Sequence, residues 1–155
     1  PIIDRIQLGR VAVRAFDIPH DAAAPVGYII QGTSRCVVAT DIGNVDDRLQ
    51  QMLEGAQVLV LEANHDEEML KQGSYPYNLK QRILGPLGHL SNRRMAQVVA
   101  ELRRRPQKLI LAHLSESNNR PELAMDTVKS VLDSYGINNM EIYMTAQNHS
   151  TSVDF

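Results

Sequence analysis

Three apolar runs in this 155-residue chain end on a residue able to hold a proton or a metal ion. Cys36-Val37-Val38-Ala39-Thr40 leads into Asp41, Val58-Leu59-Val60-Leu61 into Glu62, and Leu109-Ile110-Leu111-Ala112 into His113. Short apolar runs bounded by polar or turn residues read as buried strands. A buried strand holds its last residue rigidly, so a carboxylate or imidazole at that exit is well placed for ligation or proton transfer. Asp, Glu and His without thiolate suit Zn, Mn or Fe bound through nitrogen and oxygen. A carboxylate such as Asp41 can bridge two such ions, which clamp the attacking and leaving oxygens of a phosphoryl transfer.

Other residues fall near this rim in the sequence pattern. Of the five histidines, His20 sits between Pro19 and Asp21 at the close of a strand-like stretch, where Asp21 either orients the imidazole or caps the turn. His89 precedes Ser91, a good helix N-cap, and a helix start favours contact with anionic groups. His65-Asp66-Glu67-Glu68 reads as an acidic helix start, and His149, in the polar tail, receives no role. Each rim residue also has a plainer reading: Asp41 as an Asx turn, His113 as a satisfied core histidine, Glu62 as a surface carboxylate. His20, Asp41 and His113 make three ligands, whereas a two-metal site needs about six from protein. Neither H-x-H-x-D-H nor H-E-x-x-H occurs in the chain. Arg93 and Arg94 could meet backbone phosphates, while Arg103, Arg104 and Arg105 fall at a helix C-terminus, where positive charge is favourable anyway. Tyr75 and Tyr77 could stack on a base or cover the core edge.

The elements that position these residues follow from periodicity. Gly9 to Phe16 and Val26 to Ile30 read as strands, and Gln31-Gly32-Thr33-Ser34 as the hairpin turn into the Cys36 strand, an antiparallel meander. Strands and helices then alternate. Asn44 resembles a helix cap ahead of Val45, Leu49, Met52 and Leu53, with Gly55 as the stop. Strand Ala56 to Glu62 is followed by short helices over residues 65–72 and 78–84. A helix from Ser91 to about Arg104 carries Met95, Val98, Val99 and Leu102 on one face, and Pro106 stops it. Strand Lys108 to Ala112, a helix opened by Pro121 and closed by Gly136, and strand Met140 to Thr145 complete the pattern. The fold class is α/β, a mixed sheet with flanking helices.

The totals narrow the classes. With 155 residues, 43% of them apolar, the chain suits one domain with a real core. A net charge of −2 excludes an overall basic nucleic-acid binder, leaving only a local basic patch. The single cysteine, Cys36, excludes an internal disulfide framework and a Cys-rich zinc site, and its apolar run marks it as a small buried hydrophobe. There is no signal-peptide pattern and no long apolar helix, so a cytoplasmic protein without membrane association is the expectation. The start at Pro1 rather than Met suggests a processed or trimmed product.

Five stretches carry a resemblance: Pro19-His20-Asp21-Ala22-Ala23-Ala24-Pro25-Val26-Gly27-Tyr28, Thr40-Asp41-Ile42-Gly43, Glu62-Ala63-Asn64-His65-Asp66, Gly88-His89-Leu90-Ser91-Asn92 and Leu111-Ala112-His113-Leu114-Ser115. In order and spacing they resemble the later motifs of metallo-β-lactamase-fold hydrolases, and most of all the WalJ/YycJ-like exonuclease branch. The resemblance implies that His20 binds a first metal, Asp41 bridges two, and His113 binds the second. It implies two divalent ions, Zn or Mn, in the complete protein, with an isolated chain metal-free or partly loaded. By likeness to tRNA 3′-processing nucleases, Glu62 and His89 assist proton transfer to the leaving oxygen. The family's first motif, H-x-H-x-D-H, is missing, so residues 1–155 correspond to the C-terminal portion, half of an αββα sandwich. The expected partners are the missing N-terminal half or a second chain, and DNA as substrate. Such a half would expose the apolar face that packs on its complement.

Three readings stand. The first is a metal-dependent phosphodiesterase, DNA exonuclease-like, to which this chain contributes part of a dinuclear site, the isolated chain being inactive. The second is another hydrolase of the same fold, acting on a thioester, lactone or β-lactam. The third is a non-catalytic half-domain serving as an interaction module. The Glu62 and His89 pair favours the first, because a nucleotide leaving oxygen gains from an acid.

Overall fold

Short apolar runs separated by turn residues form strands β1 (Ile6–Leu8), β2 (Val11–Asp17), β3 (Val26–Gln31), β4 (Arg35–Ala39), β5 (Val58–Glu62), β6 (Lys108–Ala112) and β7 (Glu141–Met144). Stretches with apolar residues at three- and four-residue spacing form helices α1 (Asp47–Leu53), α2 (Glu67–Gln72), α3 (Tyr77–Leu84), α4 (Asn92–Glu101) and α5 (Pro121–Ser134). The computed structural model describes residues 5–145 and 150–154, so His149 lies outside the described residues.

The strands form one sheet in sequence order, β1 to β7. β1 to β4 pair antiparallel, with short turns after β1 and β3 and a longer loop, residues 18–25, between β2 and β3. From β4 onward the pairing is parallel, and helices make the crossovers. Each parallel strand is added on the same side of the last. Because crossovers share one hand, this order lays successive helices on the same face.

That face is the core. Ile29, Val37, Leu59 and Leu109 form one row across the sheet, with Ala39, Leu61 and Leu111 in the next. They pack with Leu49 and Leu53 of α1, Met95, Val98 and Val99 of α4, and Ala124, Val128, Val131 and Leu132 of α5. Burying one such leucine contributes about 1.5–3 kcal/mol. The opposite face carries Tyr28, Val38, Val60, Ile110 and Tyr143 in register. These are partly or largely exposed, Tyr28 by 42%. The architecture is half of an αββα sandwich, with the uncovered apolar face that such a half must have.

Several boundaries differ from the periodicity reading. β1 was not expected, because its three residues are all exposed and Ile6 and Leu8 bury little. Helix α1 is capped by Asp46, whose carboxylate accepts the Leu49 N–H, and not by Asn44. Helix α4 stops at Glu101 rather than near Arg104, because the Glu54 carboxylate takes the backbone N–H groups of Arg103 and Arg104. The Arg105 guanidinium then bonds the Ala100 carbonyl, satisfying an end group that the helix leaves unpaired. Tyr135, just past the end of α5, is 51% exposed. Cys36 is buried as expected, and burial pushes its thiol pKa up.

Candidate metal centre

The parallel register of β4, β5 and β6 sets Ala39, Leu61 and Leu111 side by side, so the three chain exits emerge together at the C-terminal edge of the sheet. Both flanking exits then turn sharply. Asp41 (φ 60°) and His113 (φ 57°) occupy the left-handed region that non-glycine residues rarely adopt, which bends both residues out of their strands toward Glu62.

Glu62 is fully buried, and its two oxygens accept four N–H groups. Oε2 takes the Asp41 amide at 2.5 Å, His113 Nδ1 at 2.9 Å and His89 Nδ1 at 3.2 Å, while Oε1 takes the Leu90 amide at 2.8 Å. Burial alone would favour the protonated acid. The hydrogen bonds from His113 and His89 outweigh it and hold the carboxyl below its ordinary range. In return, the Glu62 hydrogen bond raises the His113 pKa against the opposing effect of burial.

These contacts fix tautomers. An ionised Glu62 only accepts, so His89 and His113 both carry their proton on Nδ1 and turn Nε2 outward as a lone pair. His20 has the same arrangement by another route: its Nδ1 donates to the Gly88 carbonyl at 3.1 Å, and its Nε2 lies 3.7 Å from Asp41 Oδ1. The His89 ring sits between the other two, with centroids 5.0 Å from His20 and 5.3 Å from His113. Thr40 Oγ1 donates to Asp41 Oδ2 and orients that carboxylate. Among the described residues, one group has donor atoms close enough to share an ion: Asp41, Glu62, His89 and His113, mutually within 4.8 Å. Within that group, Glu62 accepts an N–H from each of the two imidazoles and so orients both. Imidazole nitrogens of fixed tautomer around a carboxylate fit a divalent cation. They are too few for a full dinuclear set.

A cavity of about 320 Å³ opens over this rim, lined by His20, His89 and His113 with Tyr75, Arg82 and Ser115. Sequence-predicted residues divide accordingly. His20, Asp41, Glu62, His89 and His113 come together. Arg93 and Arg94 do not: Arg93 lines a separate cavity with His65 and Thr127, and Arg94 reaches Glu101 at 3.5 Å. Tyr77 points to solvent at 77% exposure. Asp21, a candidate for orienting His20, stands with Oδ1 3.6 Å from His20 Nε2 and also grips Arg82 through two hydrogen bonds of 2.5 and 3.0 Å, which hold its pKa down. The Gly88 carbonyl has the orienting role.

Two features escaped the sequence reading. Gly43 joins three loops: its N–H bonds the Pro19 carbonyl, and a Cβ there would lie 2.4 Å from Gly88 N and from Pro86. Behind the rim lies a buried amide network of Asn64, Asn92 and Asn119. Its one sequence signal is an asparagine within a few residues of Glu62, His89 and His113.

The β-lactamase superfamily domain model matches residues 2–114. An exodeoxyribonuclease YycJ of Bacillus anthracis is 42% identical over 130 residues, covering 83% of this chain and 49% of the relative. An exodeoxyribonuclease WalJ of Streptococcus pneumoniae is 43% identical over 126 residues, 80% of this chain and 47% of the relative. The crystal structure of the metallo-β-lactamase fold protein YhfI from Bacillus subtilis superposes with a TM-score of 0.63 at 14% identity, covering 92% of this chain and 49% of that one. The chain thus spans about half the length of the relatives it matches. The superposition agrees with a fold that is half of a metallo-β-lactamase sandwich, and the family match over residues 2–114 shows that the chain belongs to the β-lactamase superfamily.

Proposed function

We propose that this chain contributes to a metal-dependent phosphodiester hydrolase, a DNA exonuclease whose dinuclear site it supplies in part. One observation carries the reading: three imidazoles with Nδ1 engaged gather at one rim, His20 and His113 each with a ring nitrogen 3.7 Å from Asp41 Oδ1, in a chain over 40% identical to proteins named exodeoxyribonucleases. His20, Asp41 and His113 would hold the ions, with Asp41 shared between them. Two divalent ions, Zn or Mn, would supply Lewis-acid charge for displacement at phosphorus.

The chain's own residues do the rest. His89 stands among the ligands with its Nδ1 on Glu62, so a proton at Nε2 can pass to the leaving oxygen. Glu62, ionised and buried, stabilises the imidazolium before transfer and keeps the ring aimed afterwards. Tyr75 and Arg82 line the cavity and are placed to contact a terminal nucleotide. Arg93 and Arg94, away from the cavity, would meet phosphates further along a strand. Residues 1–155 would be the C-terminal portion of the domain, and the uncovered sheet face would receive the remaining half.

The test uses full-length protein, stripped of metal and then resupplied with Mn or Zn, on end-labelled DNA. Activity should require the ion, and His20→Ala, Asp41→Ala and His113→Ala should each abolish it. His89→Ala should retain metal but slow hydrolysis by about 10²–10⁴-fold. DNA hydrolysis that persists without metal would refute the reading. Hydrolysis of a lactone, thioester or β-lactam in place of DNA would transfer it to another branch of the fold.

A further inference from the structure

The left-handed backbone at Asp41 and His113 has a common origin in the segment that leaves β5. Glu62 grips the amide of Asp41. Two residues on, Asn64 Nδ2 donates to the carbonyl of His113 at 3.0 Å. The backbone carbonyl of Asn64 accepts the Ser115 amide at 2.8 Å, so one residue holds the chain on both sides of Leu114. His113 is thereby held at its main chain by Asn64 and at its ring by Glu62.

Asn64 is itself fixed. Its amide donates to the Leu90 carbonyl at 3.0 Å, and the Asn119 side chain donates to the carbonyls of Ala63 and Asn64 at 2.9 and 3.0 Å. Asn119 and Asn92 also exchange amide hydrogen bonds at 2.8 and 2.9 Å. Asn64, Asn92 and Asn119 are 7%, 1% and 5% exposed. Buried amides with few apolar substitutes are costly unless satisfied, and a satisfied network specifies one geometry. A left-handed histidine persists only where its surroundings over-determine it.

We propose that Asn64 is a positioning residue for the metal centre. Its amide, braced by Asn119 and Asn92, keeps the His113 peptide left-handed and so sets the His113 ring with Nδ1 on Glu62, leaving Nε2 free. The importance of that ring to catalysis rests on the reading of His113 as a metal ligand; the positioning does not.

The test takes full-length, metal-stripped protein labelled with ¹⁵N-histidine and compares wild type with Asn64→Ala and Asn64→Asp. In long-range ¹H–¹⁵N spectra at alkaline pH, wild-type His113 should show a single Nδ1–H tautomer. Both variants should move it to the mixed pattern of an unrestrained imidazole while the His65 signals stay in place. A folded Asn64→Ala protein with wild-type His113 signals would overturn the proposal, because a residue that merely stabilises the fold would leave the tautomer unchanged. Should the variants prove too unstable for spectra, thermal melting decides. Asn64→Ala should lower Tm by about 3–8 °C, and clearly less in a His113→Gly background, since glycine takes a positive φ without strain. Equal losses in both backgrounds would overturn the proposal. Zn²⁺ titration of the same samples tests the metal reading separately: a wild type that binds no Zn²⁺ while His113 stays locked by Asn64 refutes the phosphodiesterase reading and supports the positioning role.

Discussion

A carboxylate with four N–H donors and no solvent exposure governs the rim residue by residue. Glu62→Gln keeps the shape but removes the charge and leaves one oxygen to accept what two accepted. At least one buried N–H then loses its partner, and the expected cost is about 2–4 kcal/mol. Urea unfolding of the metal-free protein measures it, and an unchanged midpoint would show that the hub is dispensable. The same pair sets a pH signature. The His113 pKa is raised, chiefly by its hydrogen bond to Glu62, so its contribution to stability is complete below the unfolded value of 6.5 and fades as pH rises through the higher folded value. The Glu62 pKa is lowered despite burial, so its contribution is complete above the unfolded value of 4.5 and fades as pH falls through the folded value. The metal-free protein should thus gain most from this pair between about pH 4.5 and 6.5. Denaturation midpoints across that range check this, and in His113→Ala the loss on the alkaline side should disappear.

At the level of elements, the rim depends on loops that meet at backbone distance. Gly43 lies against Gly88 and Pro86, and its N–H holds the loop of His20 through Pro19. Gly43→Ala would push a methyl group into main-chain atoms that cannot rotate away. It should cost about 1–3 kcal/mol and displace His89 and His20 together. Thermal melting reads the first effect, and histidine chemical shifts read the second. A variant with wild-type stability and shifts would show that the loops give way freely. Helix α3 is the exposed counterpart: none of its residues is buried, and its links to the rim are the Asp21–Arg82 pair and the Ile83 carbonyl bound by the His89 amide. An exposed ion pair contributes little to stability, so Arg82→Ala should leave Tm within about 1–2 °C of wild type.

Over the whole molecule, a seven-stranded sheet has helices over one face and Tyr28, Val38, Val60 and Ile110 partly uncovered on the other. Apolar surface of this extent on one face calls for a partner surface. The 155-residue chain alone should self-associate and bind hydrophobic dyes. Ile110→Lys should reduce both and, in the full-length protein, weaken the packing of the remaining half, lowering Tm. Sedimentation velocity of chain and variant gives the comparison, and a monomeric wild-type chain with no dye binding would run against it. Among the described residues no helix is long and apolar enough to cross a membrane.

The sequence by itself determined the local elements and the identity of three rim residues. Alternation and helical spacing depend on near neighbours, so β2 to β7 and the five helices were legible, while β1, exposed and three residues long, was not. Asp41, Glu62 and His113 were legible because each terminates an apolar strand. His20 and His89 acquired their roles from a resemblance in motif order. Tertiary structure alone decided how these residues act. Glu62 became the hub of two imidazoles through bonds spanning 27 and 51 residues, Asp21 turned to Arg82 across 61, and Asn64 took the His113 carbonyl across 49. Arg93 and Arg94 lie outside the rim cavity because helix α4 turns them elsewhere. Pairings between distant segments follow from strand register and loop closure, and neither is written in the period of any single segment.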